Sequence, residues 1–299
     1  ETVREVVVTR VVTETEVVEG ETVEVTRVVT ETETVTEVVE VEVTAAAEMG
    51  EQAVTMRWNW GAEPPTLDPA LAEDTTSVDA DTNLFMGLTS TDPVTGEVLP
   101  GLATEWSANE DGTVYTFNMR DDVPWVNYDP NTGEWAIEVD EEGNERYVNA
   151  NDVVYGIRRS ADPETGSPYA YVLYNIVGAQ EFNSGEEGFT AEDVAVVALD
   201  DYTVQITLEA PAPYFPAIAG LWTLFPQPQW AVEEWGPKWT EAGLIVTNGR
   251  YGLEEWIHGG NMNLIKNPLW PEADTVQIER VEGVMITEAS TAFAMYENN

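Results

Sequence analysis

No cysteine occurs among the 299 residues, which excludes disulfides, thiolate metal sites and a Cys/His catalytic pair within them. Positive charge is scarce as well: 12 Lys and Arg stand against 56 Asp and Glu, a net charge of −44. Nucleic acid and anionic lipid surfaces are bound by Lys and Arg that neutralise phosphate, so neither partner fits this chain. Lysine is represented only by Lys238 and Lys266, and no G-x-x-x-x-G-K-[ST] phosphate loop is present. The single histidine, His258, lies in Trp256-Ile257-His258-Gly259-Gly260. A Ser-His-Asp set would have to use it, yet no G-x-S-x-G elbow supplies the serine. No apolar run reaches the ~18 residues of a membrane span. Acids are abundant, but no spacing singles out a catalytic pair. The segments Asp129–Gly133 and Asn109–Gly112 resemble oxygen-ligand calcium loops without their full spacing, and read as solvated turns. No catalytic residue, metal or cofactor is expected.

What is present falls into two textures. Residues 1–44 use five residue types only: 17 Val, 12 Glu, 11 Thr, 3 Arg and Gly20. The string VTRVVTETE occurs at Val8–Glu16 and again at Val25–Glu33, a repeat with a period of 17. Without aromatic residues, Leu or Ile, this segment builds no packed core alone. Its β-branched residues favour an extended stalk. Val11, Val18, Val25, Thr32 and Val39 also recur every seven residues, which leaves a thin helical seam open as an alternative. Thr44–Gln52 reads as a linker.

From Ala53 the composition becomes that of a folded body. Val54–Trp60 alternates like a strand, and a helix is expected to end in Phe85-Met86-Gly87-Leu88, with Asp79 or Asp81 in its first turn and Glu73–Thr76 in the loop before it. Leu99–Trp125 reads as a helical turn ending at Glu105-Trp106, a reversal at Asn109–Gly112 and a strand. Tyr115, Phe117 and Met119 share one face of that strand. Asn127–Asn149 reads as an acidic hairpin carrying Trp135, Ile137 and Val139. Asn151 reads as the cap of a helix with Val153, Val154 and Ile157 on one face. Tyr171–Phe182 reads as a further helix, Val194–Leu199 and Thr203–Leu208 as a hairpin, and Ala231–Trp235 as a short helix stopped by Gly236.

Several blocks carry a resemblance. Pro100-x-Leu102-Ala103-x-x-Trp106, Asp111-Gly112, Tyr115-Thr116-Phe117-x-x-Arg120 and Val123-x-Trp125 recur in order. They are followed by Asp162–Ala170, by Pro211–Pro216 and by Val246-Thr247-Asn248-Gly249-x-Tyr251-x-Leu253. Together they resemble the extracytoplasmic solute-binding proteins of peptide-importing ABC transporters, in their oligopeptide-binding branch, from about Thr66 to the last residue. Arg250 stands where that pattern usually has Pro or Ala.

The resemblance implies a mixed α/β, periplasmic-binding-protein type II-like fold. Lobe one would use residues 53–88 and 229–299, residues 89–228 would form an inserted α+β subdomain, and residues 1–52 a stalk and linker. The second lobe lies beyond Asn299 in relatives, so this chain is expected to hold half a cleft, with weak or absent peptide binding on its own. The resemblance places Tyr169 on the cleft, holding an extended peptide, with Glu73 and Thr75 at contacting positions on the loop after Leu67-Asp68-Pro69, likewise a cleft wall. Glu73 would receive a basic group, and Thr75 would offer its backbone N–H and C=O. It implies an oligopeptide ligand, transporter permease subunits as partners, an extracytoplasmic location, and membrane attachment only through an N-terminal lipidated Cys that this sequence lacks. A different class of function remains open: a structural protein whose Val/Thr/Glu repeat pairs strands between subunits.

Overall fold

Branching at Cβ restricts χ1 and suits a pleated strand, and the N-terminal repeat forms two strands of equal length. β1 (Thr2–Val18) and β2 (Glu21–Glu37) pair antiparallel, with Thr2 opposite Glu37 and Val18 opposite Glu21. Val11 stands opposite Val28 in this ladder, so the seven-residue spacing marks strand positions and not a helical seam. The computed structural model describes residues 2–18, 21–37 and 54–298, and the linker read at Thr44–Gln52 lies outside them. The chain divides into two units, Glu1–Gln52 and Ala53–Asn299.

The second unit begins with β3 (Thr55–Asn59) and α1 (Thr75–Leu84). Asp74 caps α1, its Oδ1 accepting the Thr76 and Ser77 amides at 2.9 and 3.1 Å. The helix therefore starts ahead of Asp79 and Asp81, and Asp81 is buried in its middle. β4 (Thr89–Thr91) and β5 (Val98–Pro100) form a small hairpin. β6 (Ala103–Ala108) replaces the helical turn expected before Trp106. Trp106 pairs with Phe117 of β7 (Val114–Met119), and a bulge between Ala103 and Glu105 absorbs the irregular spacing. Pairing with a neighbouring strand outweighs the local preference of Leu-Ala-Thr-Glu-Trp. Tyr115, Phe117 and Met119 point inward, with 5%, 0% and 8% exposure.

β8 (Val126–Asp129) and β9 (Glu134–Ile137) form the acidic hairpin. α2 (Ala150–Ala161) is capped by Asn149 and not by Asn151. A capping box needs an acid three residues after the cap, and only Asn149 has one, Asp152. The helix expected over Tyr171–Phe182 is two pieces, a 3-10 turn at Ala170–Asn175 and α3 (Ala179–Asn183). Between them Ile176 bridges Leu208, and Gly178 takes φ +77° where a Cβ would meet the Asp193 carbonyl oxygen at 2.2 Å.

β10 (Val196–Asp200) and β11 (Thr203–Thr207) complete a four-stranded antiparallel sheet ordered β10-β11-β7-β6. α4 (Phe215–Ile218) and α5 (Gln229–Trp235) lead to β12 (Val246–Thr247), which joins β8 and β9. β13 (Tyr251–Ile257), β14 (Asn261–Lys266) and β15 (Arg280–Val284) then form a second sheet ordered β13-β14-β15-β3, and α6 (Ala289–Glu297) follows. β3 lies parallel to β15, Arg280 opposite Thr55. Trp125, Trp239, Phe117 and Phe215 are the largest fully buried side chains of the core.

Candidate binding site

The loop between β3 and α1 is fixed from inside by Asp68, which is 4% exposed. Its carboxylate takes a bidentate pair of hydrogen bonds from Arg159 of α2, Nη1 to Oδ1 at 2.7 Å and Nη2 to Oδ2 at 2.6 Å. Trp239 Nε1 donates to Oδ2 at 2.9 Å, the Ala70 amide donates to Oδ1 at 3.0 Å, and Gln227 Oε1 accepts from Arg159 Nη1 at 2.6 Å. A buried ion pair this fully hydrogen-bonded holds geometry more than it adds stability, and removing one partner costs about 3–5 kcal/mol. Asp68 and Arg159 lie 91 positions apart, and no local pattern links them. In so acidic a chain, a cation at a helix's buried edge is itself a signal that an acid must meet it.

The outer part of the same loop meets a second wall through Trp222, in the 3-10 turn Trp222–Leu224. Trp222 Nε1 donates to the Ala72 carbonyl at 2.9 Å, and its ring packs on Tyr169 with centroids 5.0 Å apart. Tyr169 in turn packs on Tyr171 at 5.3 Å. Three aromatic rings thus stand in a row beside the loop, each pair worth about 0.5–1.5 kcal/mol beyond its burial. Tyr171 remains 57% exposed, Tyr169 is half-buried, and Glu73, next to Ala72, is exposed. Glu73 makes no hydrogen bond or ion pair among the described residues. The structure therefore joins Tyr169 to the backbone beside Glu73 through Trp222, a residue outside the set that the sequence pointed to.

Thr75 is exposed but belongs to α1 as its first residue, not to a loop. A first-turn N–H is free of the helical ladder while the carbonyl is engaged by it, so Thr75 offers only the N–H. His258 stands apart from this wall, between Glu63 and Glu241, with Nδ1 2.9 Å from Glu63 Oε1 and Nε2 3.2 Å from Glu241 Oε2. A separate cleft of about 620 Å³ opens between α1 and the β13-β14-β15-β3 sheet, lined by Trp60, Asp79, Asn83, Arg250, Tyr251 and Trp270 among others. It includes none of Tyr169, Glu73 and Thr75.

Trp222 thus links the Tyr169–Tyr171 pair to the Ala72 backbone, one residue from the exposed Glu73, on a loop anchored through Asp68. The chain belongs to the bacterial extracellular solute-binding proteins: residues 97–299 match the family described as "Bacterial extracellular solute-binding proteins, family 5 Middle". It is similar to the periplasmic oligopeptide-binding protein OppA of Escherichia coli K12, 36% identical over 238 residues that make up 79% of this chain and 40% of that protein. The oligopeptide-binding protein OppA of Bacillus subtilis 168 is 34% identical over 81% of this chain and 41% of its own length. Among solved structures, Haemophilus influenzae OppA in complex with RPPGFSPFR superposes with a TM-score of 0.73 at 29% identity, over 83% of this chain and 45% of that one. The fold is thus a mixed α/β periplasmic-binding-protein architecture, and the chain spans less than half the length of these relatives.

Proposed function

We propose that this chain captures oligopeptides outside the cytoplasm for an ABC importer, holding them along the wall made by Tyr169, Tyr171, Trp222 and Glu73. The observation that carries the reading is the Trp222 junction, which brings the Tyr169 ring and the Ala72–Glu73 backbone onto one surface. An extended peptide presents unpaired main-chain N–H and C=O groups at every residue. The Tyr169 hydroxyl and the Thr75 N–H serve these, and aromatic faces accept varied side chains. Glu73, an exposed carboxylate next to the Ala72 backbone that Trp222 holds, would favour a cationic side chain. Haemophilus influenzae OppA was solved with a peptide that carries arginine at both ends.

In this reading residues 53–88 and 229–299 form lobe one, residues 89–228 an inserted subdomain and residues 1–52 a stalk. The division is supported by the β13-β14-β15-β3 sheet, which draws only on the first set, and by the β10-β11-β7-β6 sheet, which draws only on the second. Permease subunits are the partners that would receive the peptide, and the stalk is the tether through which a lipid anchor would hold the body near them.

Resonances of Tyr169, Tyr171 and Trp222 are expected to shift when a tri- to pentapeptide pool is titrated into the protein and followed by NMR. Replacing Glu73→Gln is expected to weaken the response to Lys-containing peptides several-fold while sparing Ala-only ones. Shifts confined to the cleft around Trp60, Arg250 and Trp270 would place the ligand elsewhere and refute the assignment.

A further inference from the structure

The loop that carries Asp68 and Glu73 is gripped at its other end by the turn between β13 and β14. Glu63 Oε1 lies 2.9 Å from His258 Nδ1 and accepts the Trp256 indole N–H at 3.0 Å, while Oε2 accepts the Gly259 amide at 2.7 Å. On the far side of the imidazole, Nε2 lies 3.3 and 3.2 Å from Glu241 Oε1 and Oε2. The Trp256 ring covers one face of His258, with centroids 4.3 Å apart. β13, β15 and β3 run in the same direction, so His258 and Glu63 follow strand ends at the same end of the sheet.

A neutral imidazole has one N–H and one lone pair, so it can donate to only one of two flanking carboxylates. The other contact then sets a lone pair against a carboxylate oxygen. The imidazolium donates to both at once, and only that form satisfies the geometry on both sides. We propose that His258 is a proton-dependent latch, a positioning residue that holds residues 61–67, the stretch between β3 and the Asp68 anchor, at this end of the sheet.

Two charged groups touch the ring: Glu63 from the loop after β3, and Glu241 from the segment before β12. Trp256 from the histidine's own strand adds an uncharged ring. Hydrogen bonding to Glu63, then to Glu241, raises the proton affinity of His258 above its ordinary value of 6.5, against a smaller opposing effect of burial. The folded form thus binds the proton more tightly than the unfolded form. The latch is fully engaged below pH 6.5 and is released as pH rises through the raised value. As the sole histidine, His258 gives the only imidazole signal to follow.

Two measurements on the whole chain test this: the NMR titration of the His258 ring, and hydrogen-exchange protection of residues 61–67 between about pH 5.5 and 8.5. The ring is expected to titrate above 6.5 and to fall toward it in Glu63→Gln and in Glu241→Gln. Protection across 61–67 is expected to drop several-fold through that midpoint. It should be low and flat in His258→Gln, and high and flat in His258→Lys, which keeps its charge. A midpoint at or below 6.5, or an unchanged protection profile in His258→Gln, overturns the latch. Neither measurement uses peptide. Failure of the peptide titration described above would therefore refute the ligand wall while leaving the latch result intact.

Discussion

Asp152 shows how one carboxylate can serve a helix and burden it at once. Its Oδ2 accepts the Asn149 amide at 2.9 Å and the Trp125 indole N–H at 3.0 Å, closing the capping box of α2. Burial pushes its carboxyl up to about 6, against the opposing pull of the Trp125 and Asn149 hydrogen bonds and of Arg146. A carboxyl whose folded value exceeds its ordinary 3.8 contributes its full stability below 3.8 and loses it as pH rises through about 6. Asn at this position keeps one oxygen for both donors and carries no charge. The melting temperature of Asp152→Asn relative to the wild type is therefore expected to climb as pH is raised through about 6. A difference that stays constant with pH would show that the charge at Asp152 is not what limits this end of the helix. The sequence pointed to Asn151 as the cap; it showed neither that Asn149 and Asp152 close the box nor that Trp125 would cover it from 27 residues away. The same holds for Trp222, whose two contacts, Ala72 and Tyr169, come from segments that no local pattern connects.

Among the elements, α2 is the most constrained by its neighbours. Gly156 lies in its interior, where Ala would ordinarily gain about 1 kcal/mol in helix propensity. Here a Cβ would stand 2.2 Å from the Phe225 carbonyl oxygen, a backbone atom with no flexible side chain to yield. Gly156→Ala is accordingly expected to lower the unfolding free energy by about 2 kcal/mol or more in urea denaturation, the sign opposite to propensity. A stabilised variant would mean that the crossover at Phe225 gives way easily. Elements were readable where a local rule sufficed. β7 follows from strict alternation, and the reversal before it from Gly112, which takes φ +68°. They were misread where a distant partner decides. β6 is a strand because β7 lies beside it, and the chain after Tyr169 is broken because Ile176 reaches across to Leu208. Neither partner lies within a helical turn of the residues it governs.

Charge governs behaviour at the scale of the whole molecule. A net −44 leaves folded and associated states under strong self-repulsion, and most cations of the folded body are already engaged, as in Arg120 with Asp122 and Glu272 or Arg280 with Glu254 and Glu282. Salt shortens the reach of that repulsion, from a Debye length of about 30 Å at 0.01 M to about 3 Å at 1 M. The melting temperature is expected to rise with added NaCl across that range, most steeply at the low end. A melting temperature insensitive to salt would show that the acids are spaced widely enough not to interact. The family was legible at this scale because its blocks appear in order along the chain. The proposed binding wall was only partly legible, since it depends on Trp222 and on the Asp68–Arg159 anchor.

The parallel pairing of β3 with β15 also sets a timetable. Asn59 exchanges hydrogen bonds with the Ile286 backbone, 2.9 Å each way, across 227 positions of sequence. A ribosome adding about 5–20 residues each second needs some tens of seconds to supply that second partner. Throughout the interval the body's opening strand has been made while the neighbour it will zip against has not. Of the four strands in this sheet, Thr55–Asn59 therefore waits longest for its neighbour.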